Sequence, residues 1–201
     1  MRPLTRPPAP EVLKKTLLRK WTKAWQAKCR SVPPKEWVWP TVQKQKLNKR
    51  LTPVLKKMTG NRCSFCDSAV QPASPRTVEH FLAKSRYHCS AFHWPNLYYC
   101  CAGCQAEKLE RSDRHAVRPD EPGYAFVRYY RYVSGNGRIL TNPMAGAAAR
   151  QRALLTIRLY HLNRRDLREA RVSELEMGAK DPAQDISLRP HQYLRPWTRR
   201  S

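Results

Sequence analysis

Cys63-Ser64-Phe65-Cys66 and Cys101-Ala102-Gly103-Cys104, with Val78-Glu79-His80 between them, decide how this 201-residue chain is read. Each CxxC pair puts two thiolates on one tight turn, and two such knuckles complete a tetrahedral four-sulfur site for Zn2+. Four ligands close the coordination shell, so the metal expected at Cys63, Cys66, Cys101 and Cys104 is structural. Binding free energy on the order of 10–16 kcal/mol is then available to fold a short, irregular region. The alternative, four buried free cysteines, gives no reason for the paired spacing. Cys100 adjoins Cys101 but breaks the two-residue gap, and Cys29 and Cys89 stand apart as bystanders.

A zinc that draws the two pairs together folds the chain between Cys66 and Cys101 back on itself. That carries a short strand, Thr77 to His80, toward a helix expected from Ala102 to Glu110. A lone histidine is more often a satisfied polar group than a catalyst. A histidine on a strand, with a carboxylate, an amide and a basic residue such as Lys108 nearby, has the parts that phosphodiester hydrolysis needs. These are a base for water and a hard cation against the phosphate.

Working outward, Lys and Arg total 39 against 15 Asp and Glu, giving a net charge of +24 and a pI near 10.3. Residues 1–60 hold sixteen basic residues and two acids, so this stretch carries +14 and the remainder +10. Such an excess says little about fold but favours polyanions, nucleic acid first. No apolar run is long enough to span a bilayer. The Pro-rich start lacks the apolar centre of a signal peptide, so the expectation is a cytoplasmic protein without disulfides.

The periodicity predicts a basic amphipathic helix from Glu11 to Lys28, with Leu13, Leu17, Trp21, Ala24 and Trp25 inward, ended by Pro33-Pro34. A second helix is expected from Val42 to Thr59, with Pro53 as a kink or first-turn residue and Gly60 as its stop. Phe81 to Pro95 reads as loop. Tyr124 to Val133 alternates like a strand, Ser134-Gly135-Asn136-Gly137 is a hairpin turn, and Arg138 to Leu140 its partner. Helices are expected over Ala147–Tyr160 and, capped by Asn163, on to Met177 with Leu167, Ala170 and Leu175 inward. This is an α+β chain. It divides into a basic helical arm (1–44), a core (45–120), a hairpin with packing helices (121–180) and a flexible basic tail (181–201).

Gly60-Asn61-Arg62-Cys63-Ser64-Phe65-Cys66, Val78-Glu79-His80-Phe81 with Lys84-Ser85, Trp94-Pro95-Asn96-Leu97 and Cys101 to Cys104 with Gln105 and Lys108 follow one another in that order. Together they resemble the HNH endonuclease module with its zinc knuckles. Arg118-Pro119-Asp120-Glu121-Pro122-Gly123, Arg152-Ala153, Thr156-Ile157 and Leu162-Asn163-Arg164 resemble one branch, the PtuB-like HNH nucleases of Septu-type and retron-associated anti-phage systems. The resemblance spans residues 45–175. It implies a ββα-metal core with His80 as general base and Asn96 holding the loop that orients it. Glu79 and Gln105 would be ligands of a catalytic Mg2+ or Mn2+, and Lys84 and Lys108 phosphate contacts. The family's last motif position is usually His or Asn; here it is Gln105, whose amide oxygen can still ligate Mg2+. The implied partners are nucleic acid, DNA ahead of RNA, and a companion ATPase that gates the nuclease. A non-catalytic zinc ribbon that binds nucleic acid fits the knuckles and charge equally well but leaves Glu79, His80 and Asn96 unexplained. A ribosome-associated or assembly protein would suit the basic amino-terminal stretch alone.

Overall fold

The structure, a computed structural model, describes residues 1–32, 36–70 and 78–180, the side chains of 178–180 apart. The stretch expected as an arm is built into the core instead. Met1, Leu13 and Trp25 are buried in the same apolar cluster as Leu47, Leu51 and Leu55. Two clamps hold the first residues down: Arg2 Nε donates to Asp67 Oδ1 at 2.5 Å, and Arg6 Nε to Asp120 Oδ2 at 2.6 Å. Arg6 Nη1 also donates to the carbonyls of Trp94 and Leu97, a multi-point anchor that the planar guanidinium fork makes possible. Deleting residues 1–60 would therefore strip the core rather than remove a separable binding element.

The first helix is broken where one continuous helix was expected. A 3-10 turn at Glu11–Leu13 is followed by Lys14 in extended conformation, then by α1 (Lys15–Arg30). Its packed side is Leu18, Trp21, Trp25 and Cys29, while Ala24 is exposed. The helix expected from Val42 begins only at Leu47. Before it, β1 (Thr41–Val42) and β2 (Gln45–Lys46) pair through a two-residue turn with Gln43 at φ 48° and Lys44 at φ 63°. Such turns normally use Asn-Gly, so Gln-Lys gave no hairpin signal. α2 (Leu47–Thr59) then carries Pro53 in its interior, on the exposed side rather than in the first turn, and stops at Gly60, whose φ of 61° is left-handed.

β3 (Val78–His80) pairs antiparallel with β4 (Leu97–Tyr99), in the register Val78 to Tyr99, Glu79 to Tyr98 and His80 to Leu97. Thr77, the expected first residue of β3, lies outside the described residues. α3 (Ala102–Lys108) follows directly, opened by Cys101, whose sulfur accepts from the Cys104 backbone N–H. The strand expected from Tyr124 is half helix: α4 (Phe126–Tyr129) forms one turn before β5 (Tyr130–Val133). Tertiary bonds decide this, since the Tyr129 hydroxyl donates to Glu121. β6 (Arg138–Thr141) completes the expected hairpin, and α5 (Ala147–Leu159) and α6 (Arg165–Lys180) close the order.

Asn163 is not the cap of α6. Its amide accepts from the Ile139 N–H and donates to the Ile139 carbonyl, both at 2.8 Å, serving β6 as an extra partner. On α6 the inward residues are Leu167, Arg171 and the half-buried Leu175, which packs on the core as expected, with Ala170 exposed. The buried Arg171 donates to the Gly137 carbonyl at 3.0 Å. Gly137 has φ 68°, and a Cβ there would lie 2.1 Å from the Arg168 carbonyl oxygen, so only glycine fits. Phe65, inside the first knuckle, stacks on Tyr160 at the end of α5 with centroids 3.8 Å apart, tying the carboxy-terminal helices to the cysteines. The fold is thus mixed α+β, with three two-stranded antiparallel sheets among the described residues. The tail expected over 181–201 lies outside them. No helix among them is long and apolar enough to cross a membrane.

Candidate functional site

The four cysteines converge. The sulfurs of Cys63, Cys66, Cys101 and Cys104 all lie within 4.8 Å of one another, with Cys66 and Cys101 at 3.6 Å. A tetrahedron of sulfurs at about 2.3 Å from a central ion has edges of about 3.8 Å, so the cluster fits a structural metal such as zinc. Burial pushes the Cys63 and Cys100 thiols up, so ionised sulfur here needs a cation. Cys100 sits in the second rank, its sulfur 3.8 Å from that of Cys63. Arg164 supplies part of the compensation: its Nη1 lies 3.6 Å from Cys104 Sγ. Gly103 makes room for it, since a Cβ there would sit 2.9 Å from Arg164 Nη2.

β3 delivers Glu79 and His80 to the neighbouring wall, and both are buried. His80 Nε2 lies 2.9 Å from the Ala91 carbonyl, which can only accept. That bond puts the proton on Nε2 and leaves Nδ1 with the lone pair of a base. Burial, helped by the Lys84 charge, pushes the His80 pKa down to about 3, so the ring is neutral at physiological pH. The segment that carries this carbonyl is braced one residue away by Asn96. Asn96 Oδ1 accepts from the Leu82 N–H at 2.7 Å, and Nδ2 donates to the Leu82 and Ser90 carbonyls at 3.1 and 2.9 Å. Asn96 is only 5% exposed, so it braces the 81–96 loop and does not face solvent.

Lys108 is 0% exposed. Its ammonium lies 3.0 Å from Glu79 Oε1, which makes it neither a solvated helix lysine nor a phosphate contact in this conformation. Burial raises the Glu79 carboxyl pKa, and Lys108 offsets only part of that. Lys84 pairs with Glu110, which also accepts from Ser85 Oγ at 2.7 Å. Beside these groups opens a cavity of about 520 Å3, whose polar and aromatic lining is Trp37, Trp39, Asn48, Glu79, His80, Gln105 and the Lys84–Glu110 pair. Among the described residues, three buried atoms on this lining have no hydrogen-bond partner: Trp37 Nε1, Asn48 Oδ1 and Gln105 Nε2. Turning the Gln105 amide presents Oε1 instead. The lining then offers the Glu79 and Glu110 carboxylates, each paired with a lysine, and two amide oxygens, a hard-donor set that suits Mg2+ or Mn2+.

The expected residues therefore come together: Glu79, His80 and Gln105 share one cavity, Asn96 stands behind His80, and the four cysteines form their own cluster. Of the polar and aromatic cavity residues, Trp37, Trp39, Asn48 and Glu110 escaped the sequence reading. The alternation Trp37-Val38-Trp39, with Val38 51% exposed, was the available sign for two of them. Asn48, on the first turn of α2, carried no sign. No protein-family model matches the chain, and no curated protein does either.

Proposed function

We propose that the chain is a metal-dependent HNH-type endonuclease that hydrolyses phosphodiester bonds in nucleic acid, with β3, β4 and α3 as its ββα core. One observation carries the reading. His80 is fixed by a single tautomer-defining bond, and its Nδ1 is the free base in a cavity shared with Glu79 and Gln105. A solvated histidine needs neither a carbonyl on an Asn96-braced loop nor a carboxylate beside it on the same strand.

Glu79 and Gln105 would hold a catalytic Mg2+ or Mn2+, which when bound supplies positive charge against the scissile phosphate and the leaving oxygen. A Glu79 carboxylate already paired with Lys108 would hold such an ion weakly without further oxygen ligands. His80 Nδ1 takes the proton from the attacking water. Its depressed pKa reflects burial first and then the Lys84 and Lys108 charges; a phosphodiester anion beside those lysines would offset them and strengthen the base. Asn96 braces the loop that carries the Ala91 carbonyl, through its bonds to Leu82 and Ser90. The basic face of α1, docked beside the loop through Trp25 Nε1 donating to the Lys84 carbonyl at 2.9 Å, contributes non-specific phosphate affinity. The anti-phage resemblance extends the proposal to DNA as substrate and to a gating ATPase as partner.

The second reading, a non-catalytic zinc-dependent binder, is favoured by Gln105 in the usual His or Asn position and by Lys108 occupying Glu79. Plasmid and total RNA incubated with Mg2+, Mn2+ or chelator separate the two, with a candidate ATPase added in parallel. His80→Ala is expected to lower cleavage on the order of 10²- to 10⁴-fold with zinc content unchanged. Wild-type rates from His80→Ala would overturn the mechanism, and no cleavage by any variant with the partner present would leave the binder.

A further inference from the structure

We propose that Trp37 and Trp39 form a stacking wall for an unpaired nucleobase beside the scissile phosphate, so that the cavity takes single-stranded DNA in preference to intact duplex. The inference rests on the nuclease reading and adds to it the form of the substrate. Glu36 to Pro40 runs without helical or sheet structure, and an extended chain sends residues two apart to one side. Val38 faces out, while Trp37 and Trp39 are half-buried and line the cavity together.

The wall is braced from behind. The Trp39 ring lies over His80 at 5.2 Å and 16°, nearly parallel. Trp37 meets Trp39 edge-on at 5.1 Å, stacks on Phe92 at 5.1 Å, and is met edge-on by Trp25 at 4.7 Å. Rings held this firmly present a π-face at little further entropic cost, which is how proteins grip single strands. Around the same cavity stand the unpartnered Trp37 Nε1, Asn48 Oδ1 and Gln105 Nε2. A buried indole N–H normally finds an acceptor, so Trp37 Nε1 stands as a donor for the acceptor edge of a base, apart from the two amides given to the metal. The Lys84 ammonium, 5.7 Å from the Trp37 ring centre, and the exposed Lys15, Arg19, Lys20 and Lys23 of α1 supply charge for the flanking backbone. Duplex DNA hides its base faces in the stack and cannot use such a wall.

The test measures equilibrium binding of the full chain without added divalent metal. The probes are a fluorescein-labelled single strand, the same strand with abasic sites, and its duplex. Trp39→Ala is expected to weaken the base-bearing strand about tenfold, leave the abasic strand and duplex within about twofold, and abolish the single-strand preference. Trp39→Phe, which keeps a ring, is expected to retain most of it, with zinc content and circular dichroism confirming the fold. A single-stranded RNA should show the same dependence on Trp39, because the wall reads the base and not the sugar. Equal losses on base-bearing and abasic strands, or duplex bound as tightly as single strand by the wild type, would overturn the proposal. Because no cleavage is read, a chain that never cuts still answers. A nuclease indifferent to Trp39 would keep the proposed function and lose only this inference.

Discussion

The cysteine cluster and the His80 cavity are served by the same short helix, yet they are opposite kinds of site. On α3, Cys104 turns to three other sulfurs, and the donors there are completed by one another and by Arg164. The next residue, Gln105, turns to a cavity where three buried polar atoms are left without partners. A folded chain tolerates orphaned polar groups at about 1–3 kcal/mol each only where something else supplies stability. The closed site supplies it, and the open site uses it. Their adjacency on one helix means that holding the metal also fixes where Gln105 and Lys108 stand.

The largest effect tests that division directly. Cys104→Ser is expected to unfold the chain, because metal binding on the order of 10–16 kcal/mol is comparable with the whole stability of a domain. His80→Ala should leave the melting curve nearly unmoved. Thermal circular dichroism with metal analysis checks both, and a folded, zinc-free Cys104→Ser protein would break the comparison. A smaller effect is expected at the boundary between the sites. Lys108→Met strands the Glu79 carboxylate in the interior and should cost about 3–5 kcal/mol in urea unfolding, largely restored by adding Glu79→Gln. Burial already raises the Glu79 pKa above its unfolded value. Without Lys108 the folded state binds a proton more readily than the unfolded one, so the loss should shrink as pH falls toward 5 and grow toward 8. A loss independent of pH would place the damage in packing instead. The smallest change concerns bracing. Asn96→Ala removes three hydrogen bonds behind His80 and should cost about 1–3 kcal/mol, with cleavage reduced and zinc retained. Stability unchanged in that variant would show that the loop is held by other bonds.

Much of this was legible because zinc knuckles are a spacing code. Cys63, Cys66, Cys101 and Cys104 could be read off the chain, and so could the folding-back that brings Glu79 and His80 to the helix bearing Gln105. What was not legible depended on tertiary contacts. Lys108 looks like any helix lysine until Glu79 is known to face it. Asn163 reads as a helix cap by its position, yet β6 claims its amide. Gln43-Lys44, both exposed, adopts a turn that their side chains do not advertise, because closing β1 on β2 with two residues demands left-handed φ at both. The basic excess of the first sixty residues suggested a detachable arm, since charge dominates composition there. The few apolar residues among those charges, Met1, Leu13 and Trp25, were the ones that decided its place.

The clamp between Arg6 and Asp120 has a consequence for how the protein is made. Its partners are 114 residues apart, and both must exist before the lid of the core can shut. At translation rates of about 5–20 residues per second, Arg6 waits roughly 6 to 23 seconds after its own synthesis for Asp120 to appear. Until then Leu4 and Met1 lack the Pro119 and Tyr124 partners that hold them, and the first cysteine pair has waited for Cys101 and Cys104, completed only 16 residues before Asp120. The nascent chain therefore acquires its staple and its amino-terminal closure nearly together, in one step past the midpoint of the sequence rather than progressively.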